Sequence, residues 1–121
     1  MASNVAILGA TDDPTKYANM AMHKLQDHGY NPVPVNPSKK TIEGLTVYHS
    51  LSDFKEPIDT VTIYVRPSIS SSLKDDILAA KPRRVIMNPG AENQELADAL
   101  KANGIEVLHA CTLVLLQTGQ F

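Results

Sequence analysis

Residues 4–16 read Asn4-Val5-Ala6-Ile7-Leu8-Gly9-Ala10-Thr11-Asp12-Asp13-Pro14-Thr15-Lys16 (NVAILGATDDPTK), a short apolar run that stops at a glycine and gives way to turn-forming residues. Its length and its flanks make the run a buried strand rather than a helix. Beyond it, Ala18, Ala21, Met22 and Leu25 recur at helical spacing, and Gly29 stands where a left-handed cap would close the helix. The helix is expected to start just after Asp13. A strand, a glycine turn and a helix N-terminus together form a phosphate-binding corner, because the first backbone N–H groups of a helix are unpaired and carry its positive dipole end.

The same grammar repeats down the chain. Pro32-Val33-Pro34-Val35-Asn36-Pro37 is apolar but holds three prolines, so the second strand should be short. Asp59 to Val65 (DTVTIYV) is β-branched and makes a third strand, ended by Arg66-Pro67 before Ser68 caps a helix bearing Ile69, Leu73, Ile77 and Ala80. Arg84 to Asn88, the Pro89-Gly90 turn and a helix carrying Leu96, Ala97 and Leu100 follow, with Ile105 to Leu108 as the last strand. Alternating strands and helices imply a parallel sheet covered on both faces. The expected fold is therefore α/β, a Rossmann-like doubly wound five-stranded parallel sheet, with the strand order 3-2-1-4-5. Between the second and third strands, residues 50–54 leave room only for a helical turn.

Composition bounds the function. The 121 residues, 43% hydrophobic and 20% charged, suit one globular domain spanning residues 1–121. Eleven basic and thirteen acidic residues give a net charge of −2, which disfavours a nucleic-acid surface and makes any anion site local. A single cysteine, Cys111, and an apolar strand that begins without a charged leader lead us to expect a reducing cytoplasm. The most apolar stretch, Cys111 to Leu116, is far shorter than the ~20 residues of a membrane span.

In an open parallel sheet, ligands bind beyond the carboxyl ends of the strands where the winding reverses, here expected between the first and fourth strands. Lys16, Lys39, Lys40 and Arg66 all fall in strand-end loops and form a local positive rim on a slightly acidic chain. Two departures argue against a dinucleotide: Gly9 is the only glycine of its turn, and the second strand ends in Asn36 rather than in an acid that would hold a ribose hydroxyl. His23 and His28 miss the i, i+4 spacing of a helical metal pair, and no metal site is expected. No G-x-S-x-G elbow appears. Asp75-Asp76 read as helix N-terminal acids. Cys111 reads as a small core residue, with contact to a ligand thiol as the alternative. Tyr17, beside the glycine turn, is the tyrosine placed to stack on an adenine.

These residues carry a resemblance. Taken as VAILGATDDPTKYA, GYNPVPVNPSKKTIEGLTVYHSLSDF, DTVTIYVRP and MNPGAEN, with the Cys111 segment, the chain resembles the stand-alone CoA-binding domain family, whose fold is similar to the N-terminal domain of the succinyl-CoA synthetase α subunit. The second motif is the most specific, because V-N-P, I-x-G and Y-x-S-L-x-D stand in register within one span.

The resemblance implies that coenzyme A or an acyl-CoA binds through its 3′-phospho-ADP part. Gly9, Ala10 and Thr11 would meet the pyrophosphate, with Lys16 as a nearby cation and Tyr17 alongside. Asn36, Pro37 and Lys39 would border the ribose 3′-phosphate and adenine. Val65, Arg66, Pro67 and Ile69 would close over the adenine, and Asn88 and Gly90 would face the pantetheine arm. Asp12 and Asp13 stand where the family often has small or polar residues, and would repel a pyrophosphate unless they cap the helix or face away.

No acid, base or nucleophile is marked, so the reading leans to binding without catalysis. The alternatives are a nucleotide-dependent enzyme on the same fold, an NAD(P) oxidoreductase or an acyl-CoA transferase, and a CoA-sensing regulatory protein. Leu113 to Leu116 would pack either on the sheet or on a second copy in a homodimer.

Overall fold

The computed structural model describes residues 3–121. Five strands make one parallel sheet: β1 (Asn4–Leu8), β2 (Asn31–Val35), β5 (Thr60–Ile63), β6 (Arg84–Met87) and β7 (Glu106–His109). Two further strands, β3 (Thr41–Ile42) and β4 (Leu45–Thr46), form a separate small hairpin that the sequence reading does not anticipate. The helices are α1 (Tyr17–Asp27), α2 (Pro67–Ser70), α3 (Lys74–Ala80), α4 (Gln94–Ala102) and α5 (Thr112–Gln117), with 3₁₀ turns at Leu51–Asp53 and Ser71–Leu73. Among the described residues, no helix is long and apolar enough to cross a membrane.

The fold is the expected doubly wound α/β sheet, but its strand order is β2-β1-β5-β6-β7. Counting the five sheet strands alone, this is 2-1-3-4-5 and corrects the expected 3-2-1-4-5; it is the other common doubly wound order. The prolines explain it. Successive N–H groups of a strand point to opposite sides, and Asn31 donates from the β1 side, to Ser3 O at 2.9 Å. Pro32 and Pro34 therefore fall where β2 would donate outward, and neither has an N–H, so a third strand finds no full ladder there. Only a single parallel bridge forms on that edge, Val35 with Tyr48. The third sheet strand instead pairs with β1, from Val5 with Thr60 to Leu8 with Ile63. The winding reverses between β1 and β5, one strand away from the expected place.

Side chains alternate across the sheet, so β1 feeds two cores. Ala6 and Leu8 pack with Ile77, Leu96 and Leu100 of α3 and α4. Val5 and Ile7 pack with Met22 and Leu25 of α1 and Leu116 of α5. Each fully buried Ile or Leu stabilises the fold by roughly 1.5–3 kcal/mol. The apolar C-terminal segment forms a short helix whose Leu116 packs on its own sheet while Val114 is exposed. Phe121 extends this contact: its ring meets Tyr30 edge-on at 4.9 Å and lies 4.2 Å below the Arg84 guanidinium.

α1 begins at Tyr17, not straight after Asp13, and ends as expected: Gly29 (φ +84) lets Tyr30 N reach Leu25 O at 2.9 Å. After β5 the expected single helix is broken in two. Pro67 occupies its first position and Ser68 makes no cap, while Asp75 and Asp76 lie in the first turn of α3 as expected.

Candidate functional site

The crevice at the reversal is set by the loops that leave β1 and β5 for opposite faces. They touch at Gly9. A Cβ placed there would stand 2.8 Å from Val65 Cγ1, and the backbone has φ +92, so the position requires glycine twice over. The N–H groups of Gly9 and Ala10 both donate to Val35 O, at 3.2 Å each. They lock the glycine turn to β2 and are not free to donate to a ligand. Among the described residues, the N–H groups of Thr11 and Asp12 and of the first helical residues Tyr17 and Ala18 have no such partner.

Two clefts meet at Gly9. One, of about 380 Å³, is apolar and faces α3; Leu8, Val35, Leu51, Val65, Leu73 and Ile77 are among the residues that line it. The other, of about 340 Å³, faces the N-terminus of α1 and is lined by Gly9, Thr11, Lys16, Tyr17, Ala18, Tyr64 and Pro89. Both fall in the ~300–1,000 Å³ range of small-molecule sites.

The expected site residues divide accordingly. Asn36, Pro37, Val65 and Ile69 line the apolar cleft, and Thr11, Lys16 and Tyr17 line the other. Tyr17 is 68% exposed, a ring free to stack. Arg66 and Pro67 are exposed at the start of α2 and line neither cleft, while Ala10 is buried in the core. Gly90 donates its N–H to Glu92 Oε1 at 2.8 Å, and its neighbour Pro89 is the cleft residue.

Asn36 and Asn88 are spent internally. Asn36 Nδ2 donates to Ala10 O at 2.8 Å and its Oδ1 accepts from Ser38 N at 2.8 Å, so it joins the loops after β1 and β2. The apolar cleft also holds His49 and Ser50, which have no role in the sequence reading, and Asp76, read there only as a helix N-terminal acid. His49 and Ser50 lie inside the Y-x-S-L-x-D motif, which was the available signal.

Among the described residues one of the four rim cations, Lys39, is held in an ion pair. Lys39 Nζ lies 3.1 Å from Asp12 Oδ1. Asp13 Oδ1 accepts from Thr15 N at 2.9 Å and Thr15 Oγ1 at 2.7 Å, fixing the turn before α1. Those two bonds, with Lys16 nearby, hold the Asp13 carboxyl below its ordinary 3.8. From the hairpin turn, Glu43 (φ +49) reaches α1, accepting from Asn19 Nδ2 at 2.7 Å and pairing with His23 Nε2 at 3.0 Å. The bond from Asn19 does most to hold Glu43 below its ordinary 4.5. At the opposite edge burial would raise the Asp59 carboxyl, but Arg83 and Thr60 outweigh it and the net shift is down.

These depressed carboxylates set an acid limit. Depressed folded values mean that Asp13, Glu43 and Asp59 stabilise the fold fully above their unfolded values and lose that contribution as pH falls through the folded ones. The urea midpoint is expected to hold down to about pH 5 and to fall progressively below about pH 4. A midpoint that is flat between pH 5 and pH 3 would show these pairings to be energetically silent.

A buried polar knot lies beneath the second cleft. Asn88 Nδ2 donates to Thr62 Oγ1 at 2.7 Å and Ile63 O at 2.9 Å, and its Oδ1 accepts from Thr112 N at 2.9 Å. The Thr62 and Thr112 hydroxyls bond each other at 2.8 Å. Beside them the Tyr64 hydroxyl is buried with no hydrogen-bond partner among the described residues. Its burial pushes the phenol up to about 12, against a smaller opposing influence of Thr112 and Thr62. Because an orphaned buried hydroxyl costs about 1–3 kcal/mol, Tyr64→Phe is expected to leave Tm unchanged or raise it by a few degrees. A drop of several degrees in differential scanning calorimetry would mean that the hydroxyl is bonded after all. Cys111 is half-buried at the start of α5, outside both hydrophobic clusters and both clefts, which corrects its placement in the core.

Comparison with known proteins agrees with this fold. A solved structure of an uncharacterized protein matches at TM-score 0.88 and 40% identity, over 100% of this chain and 99% of the other. The uncharacterized protein YneT of Bacillus subtilis is 28% identical over 116 residues, 89% of this chain and 86% of its own. The dinucleotide forming acetyl-coenzyme A synthetase 1 of Ca. Korarchaeum cryptofilum, solved with phosphate and ADP, matches at TM-score 0.77 and 25% identity, over 89% of this chain and 25% of that one. The family model for the CoA binding domain matches residues 3–117, and with nearly the whole chain accounted for, this protein belongs to the CoA binding domain family.

Proposed function

We propose that the protein binds coenzyme A or an acyl-CoA through its 3′-phospho-ADP part, at the carboxyl edge of the sheet, without catalysis of its own. The observation that carries the reading is the pair of clefts joined at Gly9 in a chain of the CoA binding domain family.

The residues present fit the group. The apolar cleft lined by Val65 and Ile69 suits an adenine, with the exposed Arg66 and Pro67 between those two residues in the chain. Thr11, Lys16 and the unpaired N–H groups at the start of α1 suit a pyrophosphate. Asn36, Pro37 and Lys39 border the ribose and its 3′-phosphate, with Tyr17 free to stack, and the Asn88 to Gly90 turn lies toward the pantetheine arm. Coenzyme A would supply a thiol that carries acyl groups. The synthetase's reaction is not carried over, because the similarity spans only a quarter of that protein.

Isothermal titration with CoA and acetyl-CoA tests the proposal, with NAD and NADP as controls. CoA at about 100 times its Kd stabilises the folded state by about 2.7 kcal/mol, a rise in Tm of several degrees. Absence of binding at millimolar CoA, or greater stabilisation by NADP than by CoA, would overturn it.

A further inference from the structure

The loops after β1 and β2 carry opposite charges toward each other at the edge where the nucleotide is proposed to bind. Asp12 Oδ1 lies 3.1 Å from Lys39 Nζ. The backbone on both sides of Asp12 is fastened. Ala10 O accepts from Asn36 Nδ2 at 2.8 Å, Thr11 O accepts from Asn19 Nδ2 at 3.0 Å, and Asp13 N donates to Thr11 Oγ1 at 3.2 Å. Asn36 also holds Ser38 N, and so sets the turn that leads to Lys39. The pair is therefore carried on two loops that are tied to each other.

From this we infer that Asp12 sets the specificity of the site at the ribose 3′ position, so that an adenosine diphosphate ester with a free 3′-hydroxyl binds at least as well as one with a 3′-phosphate. The inference rests on the proposed CoA reading, which puts Lys39 beside that position. A 3′-phosphate reaching Lys39 must approach the Asp12 carboxylate, and two anions sharing one ammonium repel each other. Rotating Asp12 into solvent does not remove the repulsion. With its backbone held, the carboxylate stays within a Debye length of about 8 Å. A free 3′-hydroxyl instead donates a hydrogen bond to the carboxylate and leaves the ion pair intact. Asp12 thereby does from the first loop what an acid at the end of the second strand does in dinucleotide sites, where this chain has Asn36.

CoA and dephospho-CoA differ only in the 3′-phosphate and separate the outcomes. Titration calorimetry of the full chain should give Kd values for dephospho-CoA equal to or below those for CoA. Asp12→Asn keeps the side chain's shape and removes its charge; it should tighten CoA by about tenfold, 1.4 kcal/mol, and leave dephospho-CoA unchanged or weaker, since its 3′-hydroxyl loses a charged acceptor. Adding Lys39→Gln to Asp12→Asn should abolish that gain. The inference is overturned if wild-type protein prefers CoA by tenfold or more, or if Asp12→Asn changes both ligands alike or neither. Failure of both ligands to bind any of these proteins at millimolar concentration is a different result, which removes the CoA reading itself and the inference with it.

Discussion

Asn88→Ala should be among the most destabilising single substitutions in this protein, costing about 3–4 kcal/mol and lowering Tm by roughly 10–15 °C. Its amide joins three elements at once, β6 through its own backbone, β5 through Thr62 and Ile63, and α5 through Thr112. Truncation strands the buried Thr112 N–H, which costs about 1–3 kcal/mol, and leaves a void where the amide stood. The same experiment separates two roles for this residue. If Asn88 chiefly contacts the pantetheine arm, calorimetry will show weakened CoA binding in a variant whose Tm is nearly unchanged. The internal hydrogen bonds predict the reverse, a large fall in Tm and intact affinity in the fraction that remains folded.

Gly9→Ala is expected to affect both stability and binding. A left-handed backbone at a residue with a Cβ costs roughly 1–2 kcal/mol. The new methyl also meets Val65 Cγ1 at 2.8 Å, and a β-branched side chain has little rotamer freedom to retreat. Because Gly9 and Val65 both wall the apolar cleft, relief of the clash deforms the proposed adenine site, and CoA affinity should fall by about tenfold or more. In the double variant with Val65→Ala, the steric part should be recovered and the backbone part should persist, a coupling that a double-mutant cycle measures directly. Additive effects of the two substitutions would show that the Gly9 and Val65 loops do not press on each other.

The local reading was reliable wherever one physical rule dominated. The strand into Gly9, the helix ended by Gly29 and the acidic first turn at Asp75 and Asp76 are where periodicity and capping put them, since those signals depend on neighbours in the chain. The small hairpin was missed because each of its strands is only two residues long, too short for an alternating pattern to register. Strand order was misread for a reason already present in the sequence. Pro32 and Pro34 were expected to shorten β2, yet it spans 5 residues, as many as β1; their effect is to remove the outward donors another strand would need.

Legibility of the site was partial for a related reason. Gly9, Thr11, Lys16, Tyr17, Asn36, Pro37, Val65 and Ile69 follow from the rule that strand ends bind ligands, and all of them line the clefts. What a strand-end residue does there depends on its partners. Asn36, Asn88 and Lys39 were expected to face a ligand; they spend their polar groups on Ala10, on Thr62 and Thr112, and on Asp12.

By itself the sequence determined the class of fold, the edge of the sheet where the two clefts open and the glycine at which they meet. All three follow from local patterns and from the handedness of strand-to-helix connections. The tertiary structure alone decided which strand lies beside β1, which polar groups remain free and which lysine is already paired. Those are contacts between residues distant along the chain, such as Asp12 with Lys39 and Asn88 with Thr112, and no periodicity encodes them.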